Sequence, residues 1–232
     1  MARNGLNGHE RLVTFANPRS PAAEAYRQLR TNIQFSSLDR PLKTLLVTST
    51  SPEEGKSTTL ANLAITIAQT GNKVLIVDCD LRRPTVHSIF GITNSAGLTS
   101  AMVDTSLSQL PTQEVGIPNL LVLPSGPLPP NPSELLGSHR MQELMARLRE
   151  SADYVLFDSP PVLAVTDAAV LASKLDGVLL VVNAGHTKRE MAKKAKAALD
   201  KVNANIVGVV LNNVKYDTRM HHYFADGEKK AK

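Results

Sequence analysis

Gly55-Lys56-Ser57-Thr58 sets a residue without a Cβ beside an ammonium group and two hydroxyls. A backbone that wraps an anion needs the first of these, because a Cβ would intrude on the ligand. Lys56 offers a point charge to terminal phosphate oxygens, and Ser57 offers a hard oxygen to a magnesium ion. The apolar run Leu45-Leu46-Val47 precedes the stretch and a helical pattern follows it. The free N–H groups of a helix start would then face the same anion. The stretch reads as a phosphate-binding loop for a triphosphate and Mg2+, with Glu53, Glu54, Gly55, Lys56, Ser57 and Thr58 as binding residues. It departs from the full pattern at Thr50, where a first glycine is usual.

Three further carboxylates follow apolar runs. Asp78 and Asp80 lie in Val77-Asp78-Cys79-Asp80-Leu81-Arg82-Arg83-Pro84, and Asp158 ends Tyr154-Val155-Leu156-Phe157-Asp158. Acids beside a triphosphate suit metal binding through water and acceptance of a proton from a nucleophile. Arg82 and Arg83 have two uses open to them: neutralising phosphate charge, or pairing with these acids. Asp158 has the character of a Walker B carboxylate, opposite Ser57 across a metal's water shell. Asp78 and Asp80 come near the phosphate loop if their strand neighbours the strand that feeds it.

The elements that must position these groups alternate strand and helix. Strands are expected at 42–49, 73–78, 119–124, 154–158, 177–183 and 206–212, and helices at 22–35, 57–69, 141–149, 167–175 and 188–202. Short helical pieces are expected near 87–90 and 98–102, and a helix that Ser133 begins or caps after the Pro-rich 127–132. Such alternation with short loops predicts an α/β fold of the P-loop NTPase type, a mainly parallel sheet with helices on both faces. Residues 1–19 show no apolar periodicity and read as a flexible arm; 20–215 form the domain, and 216–232 a polar tail.

Composition narrows the classes. At 232 residues and 42% hydrophobic, the chain can bury a full sheet. Aromatics are only 4%, with no Trp, which argues against a stacking platform for single-stranded nucleic acid. A net charge of +5 is compatible with nucleotides, acidic substrates or an anionic membrane surface and chooses none of them. A single cysteine, Cys79, excludes an internal disulfide and reads as a core thiol. No apolar run has the length of a membrane span, and 1–10 has no signal-peptide core, so a cytoplasmic protein is expected.

With these motifs in order, the chain resembles the bacterial tyrosine kinases of capsule and exopolysaccharide operons, in their stand-alone cytoplasmic form. The resemblance spans about 20–223. It rests on Glu24-Ala25-Tyr26-Arg27-Gln28-Leu29-Arg30, the phosphate loop, the Asp78/Asp80 motif, Pro129-Pro130-Asn131-Pro132-Ser133-Glu134-Leu135-Leu136, and Phe157-Asp158-Ser159-Pro160-Pro161. It implies that Lys56 and Ser57 bind ATP and Mg2+, that Asp78 accepts the proton of an incoming tyrosine hydroxyl, and that Asp80 and Asp158 order the metal's water shell. Asn212 would contact the adenine. Glu24, Arg27 and Arg30, by spacing alone a solvated charged face, become contacts in a homo-oligomeric ring, with an octamer as one candidate size.

The resemblance also implies autophosphorylation in trans of tail tyrosines, here only Tyr216 and Tyr223. It implies other protein-tyrosine substrates, no nucleic acid, and recruitment to the membrane's inner face by an adaptor with a cytoplasmic tail. Glu53 stands where many members carry glycine, which restricts the backbone and adds negative charge near the phosphates. Two other readings share the motifs: an ATPase switch of the chromosome- or division-site-positioning kind (MinD/ParA-like), and a non-catalytic, nucleotide-dependent regulator of polysaccharide chain length. The first typically carries a lysine where this chain has Ser51; loss of Lys56 or Asp78 would have favoured the second, and both are present.

Overall fold

The computed structural model describes residues 12–36, 41–104 and 109–215. Its centre is a seven-stranded sheet, in chain order β1 (Thr44–Ser49), β2 (Val74–Asp78), β3 (Gln113–Glu114), β4 (Leu120–Leu123), β5 (Tyr154–Asp158), β6 (Gly177–Asn183) and β7 (Ile206–Asn212). The spatial order is β3-β4-β2-β5-β1-β6-β7. Every pairing is parallel except β3 with β4.

Successive residues along each central strand enter opposite cores, as a pleat of period two requires. Leu46, Val155, Phe157, Val178 and Leu180 face α5 (Leu98–Val103), α7 (His139–Ser151), α8 (Asp167–Ala172) and α9 (Arg189–Asp200). Leu45, Val47, Leu156, Leu179 and Val181 face α2 (Pro21–Ser36), α3 (Lys56–Ala68) and α4 (Val86–Phe90). Helix α3 is apolar nearly all round, and it is buried nearly all round, from Leu60 to Ala68.

Four sequence expectations change. The strands β1 and β2 are not neighbours: β5 lies between them, pairing Val47 with Asp158 on one side and Asp78 with Asp158 on the other. A seventh strand, β3, adds an antiparallel edge that two residues are too few to announce. Ser133 does not cap its helix, α6 (Pro132–Gly137); Asn131 is the N-cap and Pro132, lacking the N–H that the first turn leaves unpaired, opens it. Part of the expected N-terminal arm is docked. Leu12 and Thr14 are buried, α1 (Val13–Ala16) packs on α3, and the Thr14 N–H and hydroxyl both donate to Asn62 Oδ1, at 3.0 and 2.9 Å.

Candidate active site

The phosphate loop runs from the carboxyl end of β1 to the first turn of α3, as expected. Gly55 adopts φ +86°, and a Cβ there would lie 2.2 Å from Asn212 Nδ2, so both conformation and space demand glycine. Glu53 also takes a left-handed φ of 64°, which explains why a glycine would serve at this position. The loop borders a cleft of about 680 Å³. Glu53, Gly55, Lys56, Ser57 and Thr58 form one wall and Asp80, Arg82 and Arg83 another. Ile89, Pro160, Pro161, Ala164 and Val165 give it an apolar end.

Insertion of β5 puts Asp158 at the centre of this site. The Ser57 hydroxyl donates to Asp158 Oδ2 at 2.5 Å. Lys56 Nζ lies 3.0 Å from Asp80 Oδ2, 3.6 Å from Asp158 Oδ2 and 3.1 Å from Ser57 Oγ. Burial opposes the charge on Lys56, but Asp158 and Asp80 outweigh it and raise its pKa, so the ammonium is retained. Burial raises the pKa of Asp158, and Lys56 and Ser57 pull it back in part. Asp158 Oδ1 is buried with no hydrogen-bond partner in the described structure. An unpaired carboxylate oxygen beside a serine hydroxyl fits the water shell of a hard divalent cation. Among the described residues no three His, Cys, Asp or Glu side chains converge to cage a metal, so such an ion would keep waters and phosphate oxygens as ligands.

Asp78 lies behind Asp80 and is not among the residues that line the cleft. Its side chain is fully buried, Oδ1 accepts the Asp80 N–H at 3.1 Å, and Oδ2 accepts the Val86 N–H at 3.2 Å. It fixes the turn that presents Asp80, whose Oδ1 in turn accepts the Arg83 N–H at 3.0 Å. Burial, then the charge of Asp158, raises the Asp78 pKa well above its ordinary value. Of Asp78 and Asp80, only Asp80 borders the cleft.

Glu54 also turns away from the cleft. Its carboxylate accepts from the Thr50 N–H and hydroxyl at 2.8 and 2.6 Å and from the Ser51 N–H at 3.1 Å. Thr50, the departure from the glycine pattern, is therefore used. Asn212 Nδ2 donates to the Glu54 carbonyl at 3.0 Å, which places Asn212 against the loop.

Arg82 pairs with an acid, but with neither Asp78 nor Asp80. Its Nε and Nη2 meet the two oxygens of Asp167 at 2.9 and 3.1 Å, and Nη2 meets Ser133 Oγ at 3.1 Å. Ser133 Oγ also donates to Asp167. Burial of Asp167 works against ionisation, but Arg82 and Ser133 overcome it and hold the carboxyl below its ordinary value. Asp167 was missed in the sequence because no motif marks it; the only signal was an acid opening a helix after Thr166. The guanidinium of Arg83 borders the cleft and makes no ion pair with a described residue. Glu24 and Arg27 pair with each other at 2.6 Å, and Arg30 Nη1 donates to the Thr66 carbonyl of α3 at 2.8 Å. Tyr216 and Tyr223 lie outside the described residues.

A mainly parallel sheet whose strand β1 feeds a glycine-lysine-serine loop, with an acid at the end of the adjacent β5, defines a P-loop NTPase. The model of the AAA domain family matches residues 52–207. The tyrosine-protein kinase YwqD of Bacillus subtilis is 45% identical over 211 residues, covering 91% of this chain and 89% of that one. The putative tyrosine-protein kinase CapB of Staphylococcus aureus is 38% identical over 217 residues, covering 94% and 95%. The crystal structure of the chimerical protein CapA2B2 superposes with a TM-score of 0.85 at 40% identity, covering 88% of this chain and 90% of that one. The chain belongs to the bacterial tyrosine-protein kinase family.

Proposed function

We propose that this kinase transfers the γ-phosphoryl group of MgATP to tyrosine hydroxyls, including Tyr216 and Tyr223 of a neighbouring copy. The observation that carries the reading is the Lys56–Asp80 contact on the lining of a cleft that Ser57, bonded to the buried Asp158, also borders. In this chemistry the protein mainly positions groups and offsets charge. Ser57 directly, and Asp158 through water, would hold Mg2+, which supplies charge neutralisation at the phosphates. Lys56 exchanges Asp80 for phosphate oxygens. Asp80, released, faces the cleft and takes the proton as the tyrosine oxygen bonds to phosphorus and ADP leaves. Asp78 holds the turn behind it. Arg82, fixed by Asp167 and Ser133, and Arg83 offset charge on the transferred group. The apolar end at Ile89, Pro161 and Val165 suits the acceptor's aromatic ring.

The wider setting follows from relatives with tyrosine-protein kinase names and from the sequence motifs. The enzyme would serve capsule or exopolysaccharide synthesis and export, assemble as a ring through Glu24 and Arg27, and meet a membrane adaptor. No helix among the described residues is long and apolar enough to cross a membrane. The test is incubation with ATP and Mg2+, with and without adaptor tails, followed by mass spectrometry of the tail peptides. Phosphate on Tyr216 or Tyr223 in the wild type and not in Lys56→Met supports the proposal. ATP hydrolysis without phosphotyrosine under any of these conditions would replace it with an ATPase switch.

A further inference from the structure

We propose that Thr187 is a positioning residue for the phosphate loop, acting through Glu54; the inference rests on the nucleotide reading above. Thr187 lies in the turn between β6 and α9, far from the loop in sequence. Its hydroxyl donates to Glu54 Oε1 at 2.5 Å and accepts the Asn183 N–H at 2.8 Å, so both capacities of the group are used. Glu54 thereby accepts from four neutral donors, two on Thr50, one on Ser51 and one on Thr187, and it makes no ion pair with a described residue.

The same attachment is made a second time from the backbone. Asn212, at the end of β7, donates from Nδ2 to the Glu54 carbonyl at 3.0 Å, and its own carbonyl accepts the Ala184 N–H at 2.8 Å. The phosphate loop is thus hung from the carboxyl ends of β6 and β7. It needs such support. Where the pattern has a first glycine the chain has Thr50, and Glu53 holds a left-handed φ of 64° that a non-glycine residue leaves readily when unbraced. Neither Glu54 nor Thr187 is among the residues that line the cleft, and on this inference their side chains act on the population of the closed loop.

A ligand that needs one conformation binds more weakly in proportion as that conformation is depopulated. Thr187→Val keeps the shape and removes the hydroxyl; Thr187→Ser keeps the hydroxyl. The experiment measures the dissociation constant of MgADP by titration calorimetry, steady-state KM and kcat for ATP, and hydrogen exchange at Thr50 and Ser51. Thr187→Val is expected to weaken MgADP about tenfold and raise KM alike. Saturating ATP restores the loop, so kcat stays within about threefold. Exchange at Thr50 and Ser51 quickens, and Thr187→Ser stays within about twofold of wild type throughout. Glu54→Ala, which takes the shared acceptor from Thr50, Ser51 and Thr187 together, is expected to weaken MgADP at least as much as Thr187→Val and serves as the second variant.

Unchanged MgADP affinity in Thr187→Val, or equal losses in Thr187→Val and Thr187→Ser, would overturn the inference. So would a lower melting temperature with binding and exchange at Thr50 unaltered, since that is plain structural damage. A wild type that does not bind MgADP would instead remove the nucleotide reading, and this inference with it.

Discussion

Lys56 Nζ sits 3.0 Å from Asp80 Oδ2, although the strands that deliver the two residues are separated by β5. The contact holds the ammonium of the phosphate loop against the acid of the neighbouring loop, and phosphate must displace it. Lys56→Met removes the charge and leaves Asp80 and Asp158 facing each other. Phosphotransfer should fall by a factor of about a thousand, as expected when a preorganised charge at the reacting phosphate is lost. Radiolabel transfer at saturating ATP measures it, and a variant within tenfold of wild type would contradict the site.

The two acids of the second loop separate by position. Asp80→Asn should lower kcat by about a hundredfold or more, because Asp80 borders the cleft where a general base must stand. Asp78→Asn acts through the turn: its amide cannot accept from both the Asp80 and Val86 N–H groups. It should cost about 1–3 kcal/mol of stability and lower activity less than Asp80→Asn does. Denaturant melts and kcat, measured on both variants, decide between them; a larger kcat loss in Asp78→Asn would return the proton to Asp78.

Arg82 is held by a buried carboxylate. Asp167→Ala frees the guanidinium and leaves Ser133 without its acceptor. Because Arg82 is partly exposed, the stability cost should be near about 1–2 kcal/mol rather than that of a fully buried pair. Transfer should fall about tenfold as Arg82 loses its fixed direction. Double-mutant cycles with Arg82→Lys would show a coupling; strict additivity would contradict it.

Stability should fall on acidification through Asp176 as well as Asp167. Burial pushes the Asp176 pKa up, but Arg149 and the Thr44 and Lys43 N–H groups more than offset this and hold it below the ordinary carboxylate value. A depressed carboxyl contributes stability that is complete above its unfolded pKa and lost as pH falls through the folded one. Asp78, raised, runs the other way: its contribution is complete at low pH and is lost as pH rises through the raised value. Urea melts of Asp176→Asn from neutral to about pH 3 should show a shallower acid decline than wild type. Parallel curves would contradict the assignment.

The motif Glu24-Arg27-Arg30 divides by its partners. Arg30 braces α3 through Thr66, whereas the Arg27 guanidinium, among the described residues, bonds to Glu24 and the Pro18 carbonyl, close to its own helix. Arg27→Ala should shift a large assembly toward monomer without changing the melting temperature of the subunit. Arg30→Ala should lower that temperature too. Sedimentation velocity with calorimetry checks both, and an unchanged profile would remove the interface.

The phosphate loop and Asp158 were legible in the sequence because their signals are local: an apolar run, a glycine, an acid at a strand end. Strand order was not. Parallel strands pair across long connections, and nothing in the runs at 44–49 and 74–78 says that 154–158 will lie between them. The hydrogen-bond partners of Glu54 and Asp78 were hidden in the sequence for a related reason. An acid in a binding motif looks ligand-facing until its hydrogen-bond donors are known, and those come from Thr187 and Val86. The helix at Val13–Ala16 is one turn long, too short for periodicity, and its anchor is Asn62.

Mixing two copies of the chain tests the central claim most directly. One carries Lys56→Met with an intact, isotopically heavy tail; the other carries Tyr216→Phe and Tyr223→Phe with an intact site. With ATP and Mg2+, and with adaptor tail if the wild type requires it, phosphate should appear on Tyr216 or Tyr223 of the heavy copy and only when both are mixed. Steady ATP consumption with no phosphotyrosine on the heavy copy, under conditions where the wild type hydrolyses ATP, would contradict a tyrosine kinase acting between subunits.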